Sequence, residues 1–458
     1  MKFTTTNPAT GETLAEHDIA TPEQVRECIR NARKAFENWR RLTPSERGPL
    51  LAKLASILKE RKHEFGVVMS NEMGKIIRES EAEVAKCALA FEFYAENAER
   101  LLSPEPAQTD AAKSYVVFDP LGVVAAIMPW NFPMWQLARF AAPALSVGNT
   151  TVFKPASVTP QSGVNLEKAF DEAGFPSGCF KTILGDSRIA DQLIDDPGTN
   201  AVTFTGSVNV GMKVGERAGR NLKKAVLELG GSDPFIVLSD ANLEAATTGA
   251  VAGRFINCGQ SCIAAKRFIV EKPIADQFIQ QFVNKVSKLK VGDPLNPESD
   301  IGPMVQESAL NEVDAQVKAS VKMGAQVQLG GHRIDRRGFF YAPSVLTNVT
   351  TEMPIMKEEV FGPAAPVYVA RDAEEAVRVA NSSEFGLGAS IWTQNLKDAE
   401  RICREIQSGV VTVNSIVASD PRVPFGGVKK SGIGRELGRY GLLEFANVKT
   451  IRVYERNK

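Results

Sequence analysis

Histidine is scarce in this 458-residue chain: His17, His63 and His332 are its only three, far apart in sequence. The six cysteines (Cys28, Cys87, Cys179, Cys258, Cys262, Cys403) include no C-x-x-C pair. A metal site therefore has little to draw on, and cysteines scattered over so long a chain predict no disulfide framework. Four of them fall in helical or strand-like segments, where a thiol serves as a small hydrophobe. Neither sign of charge is in excess, since Lys+Arg and Asp+Glu each number 54. That balance leaves no global field for nucleic acid or an anionic membrane. Long apolar runs are missing too: Val123–Met128 is far short of the roughly 18–20 residues that span a bilayer. The N-terminus, Met1-Lys2-Phe3-Thr4-Thr5-Thr6-Asn7-Pro8, carries no signal-peptide core. The expectation is a cytoplasmic protein with no metal, no nucleic-acid partner and no membrane partner.

What is present is ordinary globular material, 43% apolar and 24% charged, in a chain long enough for roughly two to three domains. Residues 22–100 read as helices, opened by Thr21-Pro22 as cap and first turn, with apolar spacing over Leu50–Leu58 and a long helix over Ala82–Leu102. Ser103-Pro104-Glu105-Pro106 then breaks the pattern. From residue 115, strands at Tyr115–Phe118, Val123–Met128, Thr150–Phe153, Ala201–Phe204 and Ala225–Leu229 alternate with helices at 133–146, 161–173 and 187–195. A second block, from about Pro234 to 430, has strands at Phe235–Leu238, Arg267–Val270, Ala365–Val369 and Val410–Asn414. Its helices fall at 242–257, 274–290, 306–323, 372–381 and 396–407. Alternation of this kind predicts two α/β lobes with largely parallel sheets. The tail Asn447–Tyr454 alternates like an edge strand, which leaves backbone groups for a neighbouring subunit.

Chemistry concentrates in a few segments. Cys262 ends the turn Asn257-Cys258-Gly259-Gln260-Ser261-Cys262, which is able to present a thiol. Glu228 ends the apolar run Ala225-Val226-Leu227 before Gly230-Gly231, where a carboxylate is costly unless solvated, paired or protonated. Each has a bland alternative, a buried structural cysteine and a surface acid or helix cap. Together they supply what forms and then hydrolyses a covalent acyl intermediate. Asn131 sits between Pro129 and Pro133 at a strand-to-helix junction. There it serves as a helix cap or as a donor to a developing negative charge, a role worth about 2.7–4 kcal/mol of barrier. Trp135 and Arg139 follow at spacings of four, and Arg139 is the lone charge within Phe132–Val147. So solitary an arginine calls for an anionic partner, either an internal carboxylate or one on a substrate. Gly206 and Ser207 open a helix after a strand and suit a pyrophosphate. Lys154 and Ser157 stand at another strand end, where nucleotides bind.

Taken in order, these segments resemble the NAD(P)-dependent aldehyde dehydrogenase superfamily. The matching pieces are Pro129–Pro133, Lys154-Pro155, Phe204–Gly206, Glu228–Gly231, Gly259–Cys262, Glu359–Pro363 and Pro424–Gly427. Arg139 and the run Ala418–Arg422 look most like the short bacterial succinate-semialdehyde dehydrogenases. The resemblance implies an α/β fold with a Rossmann-type cofactor-binding domain (1–102 and 121–230), a catalytic domain (231–430) and a small β oligomerisation arm with the C-terminal segment (103–120 and 431–458). It implies Cys262 as nucleophile, Asn131 as oxyanion donor and Glu228 as water-activating base. Trp130, Lys154, Ser157, Gly206, Ser207, Glu359 and Phe361 would hold the cofactor, and Trp135, Arg139, Ser261 and Ser419 the substrate. Relatives that prefer NAD often carry Glu where this chain has Ser157, so NADP is expected as the preferred cofactor with NAD the poorer one. The implied substrate is a small aldehyde, succinic semialdehyde first, glutaric semialdehyde or an aliphatic aldehyde otherwise. A homodimer or homotetramer is expected. Glu228 argues against acyl transfer to a thiol, and the lack of a placed histidine argues against a cysteine hydrolase. A non-catalytic relative fits poorly with retention of Cys262, Glu228 and Asn131 together. Cys258, four residues before Cys262, is expected to be a packed thiol, with a redox disulfide as the alternative.

Overall fold

The short apolar runs read as strands are buried on both faces. Every residue of Val123–Ile127, Thr150–Lys154 and Ala201–Thr205 is buried in the computed structural model, which describes residues 1–455. Burial on both sides is what parallel strands covered by helices require. They form a six-stranded sheet in the order Gly432–Ile433, Lys224–Glu228, Ala201–Thr205, Val123–Ile127, Thr150–Lys154, Phe180–Thr182. All pairs are parallel except the first. The chain leaves Val123–Ile127 for the strand on one side and later returns to the other side. That creates a switch point at the carboxyl ends of the strands, where such sheets bind ligands.

Helices Pro44–Glu60, Ile77–Leu101, Trp135–Val147 and Pro160–Ala173 pack into one apolar core with this sheet. The capping box at Thr21 forms as its sequence suggests, with Thr21 and Gln24 exchanging hydrogen bonds of 2.8 and 3.2 Å. The helix expected at 133–146 runs Trp135–Val147, and Asn131 does not cap it. Glu83, from the helix Ile77–Leu101, accepts from the backbone N–H groups of Met134 and Trp135, both at 2.9 Å.

The second sheet has seven strands, in the order Gln326–Leu329, Ser344–Thr347, Ala364–Ala370, Ala265–Glu271, Asp233–Val237, Gly388–Trp392, Val410–Val413. Gly388–Trp392 lies inside this sheet and was not expected from the sequence. Gly, Ala and Ser at its start have weak strand propensity, and its burial comes from tertiary packing, including Trp392 stacked 5.2 Å from Phe235. The N-terminal hairpin Lys2–Thr6 with Thr13–Asp18 was likewise not foreseen.

The tail does form a strand, Ala446–Val453, paired antiparallel with Lys113–Pro120, which also holds Glu105–Pro106. Gly432–Ile433, expected to travel with the arm and C-terminal segment, instead pairs with Lys224–Glu228 at the edge of the first sheet. Residues 456–458 of that segment lie outside the described residues.

An aromatic cluster closes the first core. Phe170 stacks on Phe180 at 4.1 Å and meets Phe175 and Phe91 edge-on at 4.9 and 5.8 Å. Phe170→Ala is expected to cost about 3–5 kcal/mol, seen as a lower urea midpoint. An unchanged midpoint would show that this cluster does not hold the lobe together.

Candidate active site

The register of the first sheet lines up the residues that matter. Ile127 is level with Lys154 and Phe204, and Thr205 is level with Glu228. The segments beginning at Met128, Pro155, Gly206 and Leu229 therefore leave the sheet along one edge. Facing them is the turn Ile256–Gly259, where Asn257 and Cys258 both adopt left-handed backbone conformations (φ 52° and 56°). Such conformations are uncommon outside glycine and cost energy, so the surroundings must hold them. The Asn257 N–H donates to Glu79 at 2.8 Å, and Asn257 Nδ2 donates to the carbonyls of Asn131 (2.8 Å) and Gln260 (3.1 Å). Gly259 (φ 72°) is obligatory by space as well, because a Cβ there would lie 2.4 Å from the Gly362 carbonyl oxygen.

Asn131 comes to the same place from the first lobe. Its Oδ1 accepts from Gln136 Nε2 at 2.9 Å and its Nδ2 donates to the Gln260 carbonyl at 3.1 Å. Those bonds fix which way the amide faces and use one of its two N–H bonds. The other is left for a ligand oxygen.

Two cavities meet here. The larger, about 510 Å³, is lined by Trp130, Asn131, Gly206, Ser207, Glu359, Phe361, Cys262 and Gln136 among others. The smaller, about 110 Å³, is lined by Trp135, Arg139, Ser261, Ser419, Lys86, Cys262 and Gln136 among others. Cys262 and Gln136 border both. Glu228, Lys154 and Ser157 line neither.

The larger cavity suits a dinucleotide. Ser207 precedes the helix Val208–Arg220, and its side chain makes no capping bond, so hydroxyl and helix N-terminus are both available to a phosphate. A Cβ on Gly206 would meet the Phe204 ring at 2.5 Å. Trp130 and Phe361 meet edge-to-face at 5.8 Å. Glu359 accepts from the Gly231 N–H at 3.0 Å, with Lys266 3.4 Å away. Beyond this lining, Lys154 Nζ donates to the Pro155 carbonyl (3.0 Å) and Ser157 Oγ to that of Gly185 (3.4 Å). Burial pushes the Lys154 ammonium down to about 8, with Asp186 opposing that shift.

Burial pushes the Cys262 thiol up to about 11, while Arg139 and then Lys266 pull it back. Lys266 is buried and donates to the carbonyls of Ser261 and Cys262, both at 2.7 Å. It tethers the nucleophile's own backbone and was missed from sequence. The signal was a pair of cations, Lys266-Arg267, inside an otherwise apolar strand. Gln136 left a similar trace, a lone amide in an apolar helix. Cys258 Sγ lies in the second core, 3.8 Å from Met304 Sδ, as a packed thiol.

Glu228 is buried, and neither carboxylate oxygen has a hydrogen-bond partner. Burial raises its pKa well above the carboxylate range, against the pull of Arg139. One carboxylate oxygen lies 3.9 Å from Arg139 Nη2, and a Cβ added to Gly426 would come within 2.6 Å of the other. Arg139 requires a correction to its expected role. It pairs with buried Glu436, donates to Thr205 Oγ1 at 3.3 Å and stacks 4.9 Å from the Phe425 ring centre. Its charge is thus answered from inside the protein, and it borders the smaller cavity without being a free cation there.

The description "Aldehyde dehydrogenase family" belongs to the family model that matches residues 1–451. The succinate-semialdehyde dehydrogenase [NADP(+)] 1 of Mycobacterium tuberculosis is 46% identical, covering 98% of this chain and 99% of the relative. A probable succinate-semialdehyde dehydrogenase [NADP(+)] of Synechocystis is 45% identical, with coverage of 98% and 99%. The solved succinic semialdehyde dehydrogenase of Streptococcus pyogenes, in complex with NADP+, superimposes with a TM-score of 0.96 at 35% identity, covering 99% of this chain and 100% of that one.

Alkylation of Cys262 by iodoacetamide in the ligand-free protein is expected to accelerate as pH approaches 11. Lys266→Met removes a nearby positive charge and moves that profile to higher pH. An unmoved profile would remove Lys266 from the thiol's electrostatics.

Proposed function

Because this chain belongs to the aldehyde dehydrogenase family, we propose that it oxidises succinic semialdehyde to succinate, with NADP preferred and NAD used less well. The observation that carries this reading is the small, mostly apolar cavity with a few convergent polar groups (Lys86, Ser261, Ser419) that opens from Cys262, away from the dinucleotide cleft. Its 110 Å³ suits a short aldehyde, and the Lys86 ammonium in its wall favours one that ends in a carboxylate. The relatives' names agree with this substrate and cofactor. Ser157 supports the cofactor choice: a carboxylate at that position would repel a 2′-phosphate, whereas a hydroxyl beside Lys154 donates to it.

Cys262 attacks the aldehyde carbon as thiolate, and the spare N–H of Asn131 receives the oxygen that becomes negative. When bound, NADP supplies the hydride acceptor for this site. Trp130, Gly206, Ser207, Glu359 and Phe361 would hold it in the cleft, with Lys154 and Ser157 at its adenosine end. Cys262 is left as a thioester. Glu228 then takes a proton from water as the water oxygen bonds to the thioester carbon; the C–S bond breaks, releasing the acid and returning Cys262 as thiolate. Trp135, Ser261 and Ser419 wall the substrate cavity, and Arg139, paired with Glu436, borders it.

We place the cofactor domain at 1–102 and 121–230, the catalytic domain at 231–430, and the arm in 103–120 with the tail. A homodimer or homotetramer is the assembly we propose, supported by the arm strand Ala446–Val453, which exposes Val448 and Val453. Light scattering is expected to return a mass of two or four chains, and a monomer would discard that assembly. The cytoplasm is the compartment we assign. Among the described residues no helix is long and apolar enough to cross a membrane.

Reduced-cofactor formation with succinic semialdehyde and with propanal, each against NADP and NAD, tests the proposal. Fast turnover of the semialdehyde with NADP is the expected result, and Ser157→Glu shifts the preference toward NAD. Equal turnover of both aldehydes would retain the chemistry and point to another substrate.

A further inference from the structure

One cation in the smaller cavity has no anionic partner. Lys86, from the helix Ile77–Leu101, lines that cavity and not the larger one. Its Nζ donates to Ser419 Oγ at 3.0 Å and lies 4.4 Å from the centre of the Trp135 ring. Among the described residues no carboxylate oxygen lies within 4.0 Å of it. Asp420 is next in sequence to Ser419, but Arg422 grips both of its oxygens. Glu83, the other carboxylate acting on Lys86, pairs with Lys75. Arg139, by contrast, already has Glu436 and Glu228.

Ser419 adds a second donor beside Lys86. Its oxygen accepts from Lys86 Nζ and from Trp135 Nε1, both at 3.0 Å. A hydroxyl oxygen has two lone pairs, so both are occupied and its own O–H remains to donate. An ammonium has three donors, and Ser419 takes one from Lys86. Donors from two elements thus converge in a cavity whose other walls include Phe132, Ile263 and Val417. What they lack in common is an acceptor that carries negative charge.

We infer that Lys86, with the Ser419 hydroxyl, binds the distal carboxylate of the substrate and is the residue that selects a semialdehyde acid over a neutral aldehyde. This rests on the succinic semialdehyde reading above and names the group that reads the acid end. Cys262 and Gln136 mark the junction with the dinucleotide cleft, so the aldehyde belongs there and the carboxylate at the Lys86 side. In the empty cavity burial, then Arg139, pushes the Lys86 ammonium down to about 8, while Cys87, Glu83 and Asp420 oppose that shift. An incoming carboxylate restores the charged form. Trp135 holds the ammonium over its ring face, which limits where the cation sits.

The test compares kcat/KM for succinic semialdehyde and propanal in the wild type, Lys86→Met and Lys86→Arg. A charged hydrogen bond is worth about 1.5–3 kcal/mol. Lys86→Met is therefore expected to lower the semialdehyde-to-propanal ratio by about 10- to 100-fold, mainly through KM. Lys86→Arg restores most of it. Succinate should also inhibit propanal oxidation by the wild type, and inhibit Lys86→Met much less. A wild type without preference for the semialdehyde sinks the substrate reading itself. A wild type with that preference, kept intact in Lys86→Met, overturns only the assignment to Lys86. If Lys86→Met does not fold, weaker succinate inhibition in Lys86→Gln supports the assignment, and wild-type inhibition there overturns it.

Discussion

Two side-chain amides join the halves of this site. Asn257 Nδ2 reaches the carbonyl of Asn131, and Asn131 Nδ2 reaches the carbonyl of Gln260. Each bond runs from one lobe to the other, so the thiol at Cys262 and the donor at Asn131 are fixed relative to each other. Errors of about 1 Å in such geometry cost two orders of magnitude in rate. The left-handed backbone at Asn257 and Cys258 persists because Glu79 and these amides hold it. Without that staple the loop would relax, and the two cavities would lose their shared wall.

Charge beneath the site follows a separate logic. Arg139 lies between Glu228 and Glu436, all three buried. One cation between two carboxylates leaves a negative excess when both ionise, and burial resists that excess. Burial raises the pKa of both acids, against the pull of Arg139 on each and of Arg435 on Glu228. Lys266 performs the complementary task on the other flank, favouring the thiolate while binding the loop carbonyls.

Much of this was legible in the sequence, and the reasons differ by element. The strands Val123–Ile127 and Ala201–Thr205 are short runs buried on both faces, so composition alone marks them. Gly388–Trp392 is buried equally well but begins with small residues, and only its neighbours make it a strand. Cys262, Asn131 and Glu228 stood out because each is a polar residue at the end of an apolar run or within a tight turn. Lys86 did not, because a lysine on a long Ala- and Glu-rich helix looks solvated. It is half-buried against Trp135 and against Ser419, the latter more than 300 positions away. Arg139 was correctly picked as a charge in need of a partner. Which partner depended on Glu436, a contact that no local pattern encodes.

The meeting of the two cavities at Cys262 and Gln136 has a consequence for how such a protein diversifies. Walls of one chamber share almost no residues with walls of the other. Substitutions that reshape the aldehyde chamber leave the dinucleotide cleft untouched, and the reverse holds too. Fuel and oxidant can thus be exchanged one at a time across descent. Cys262 and Gln136 are the components that both chambers share.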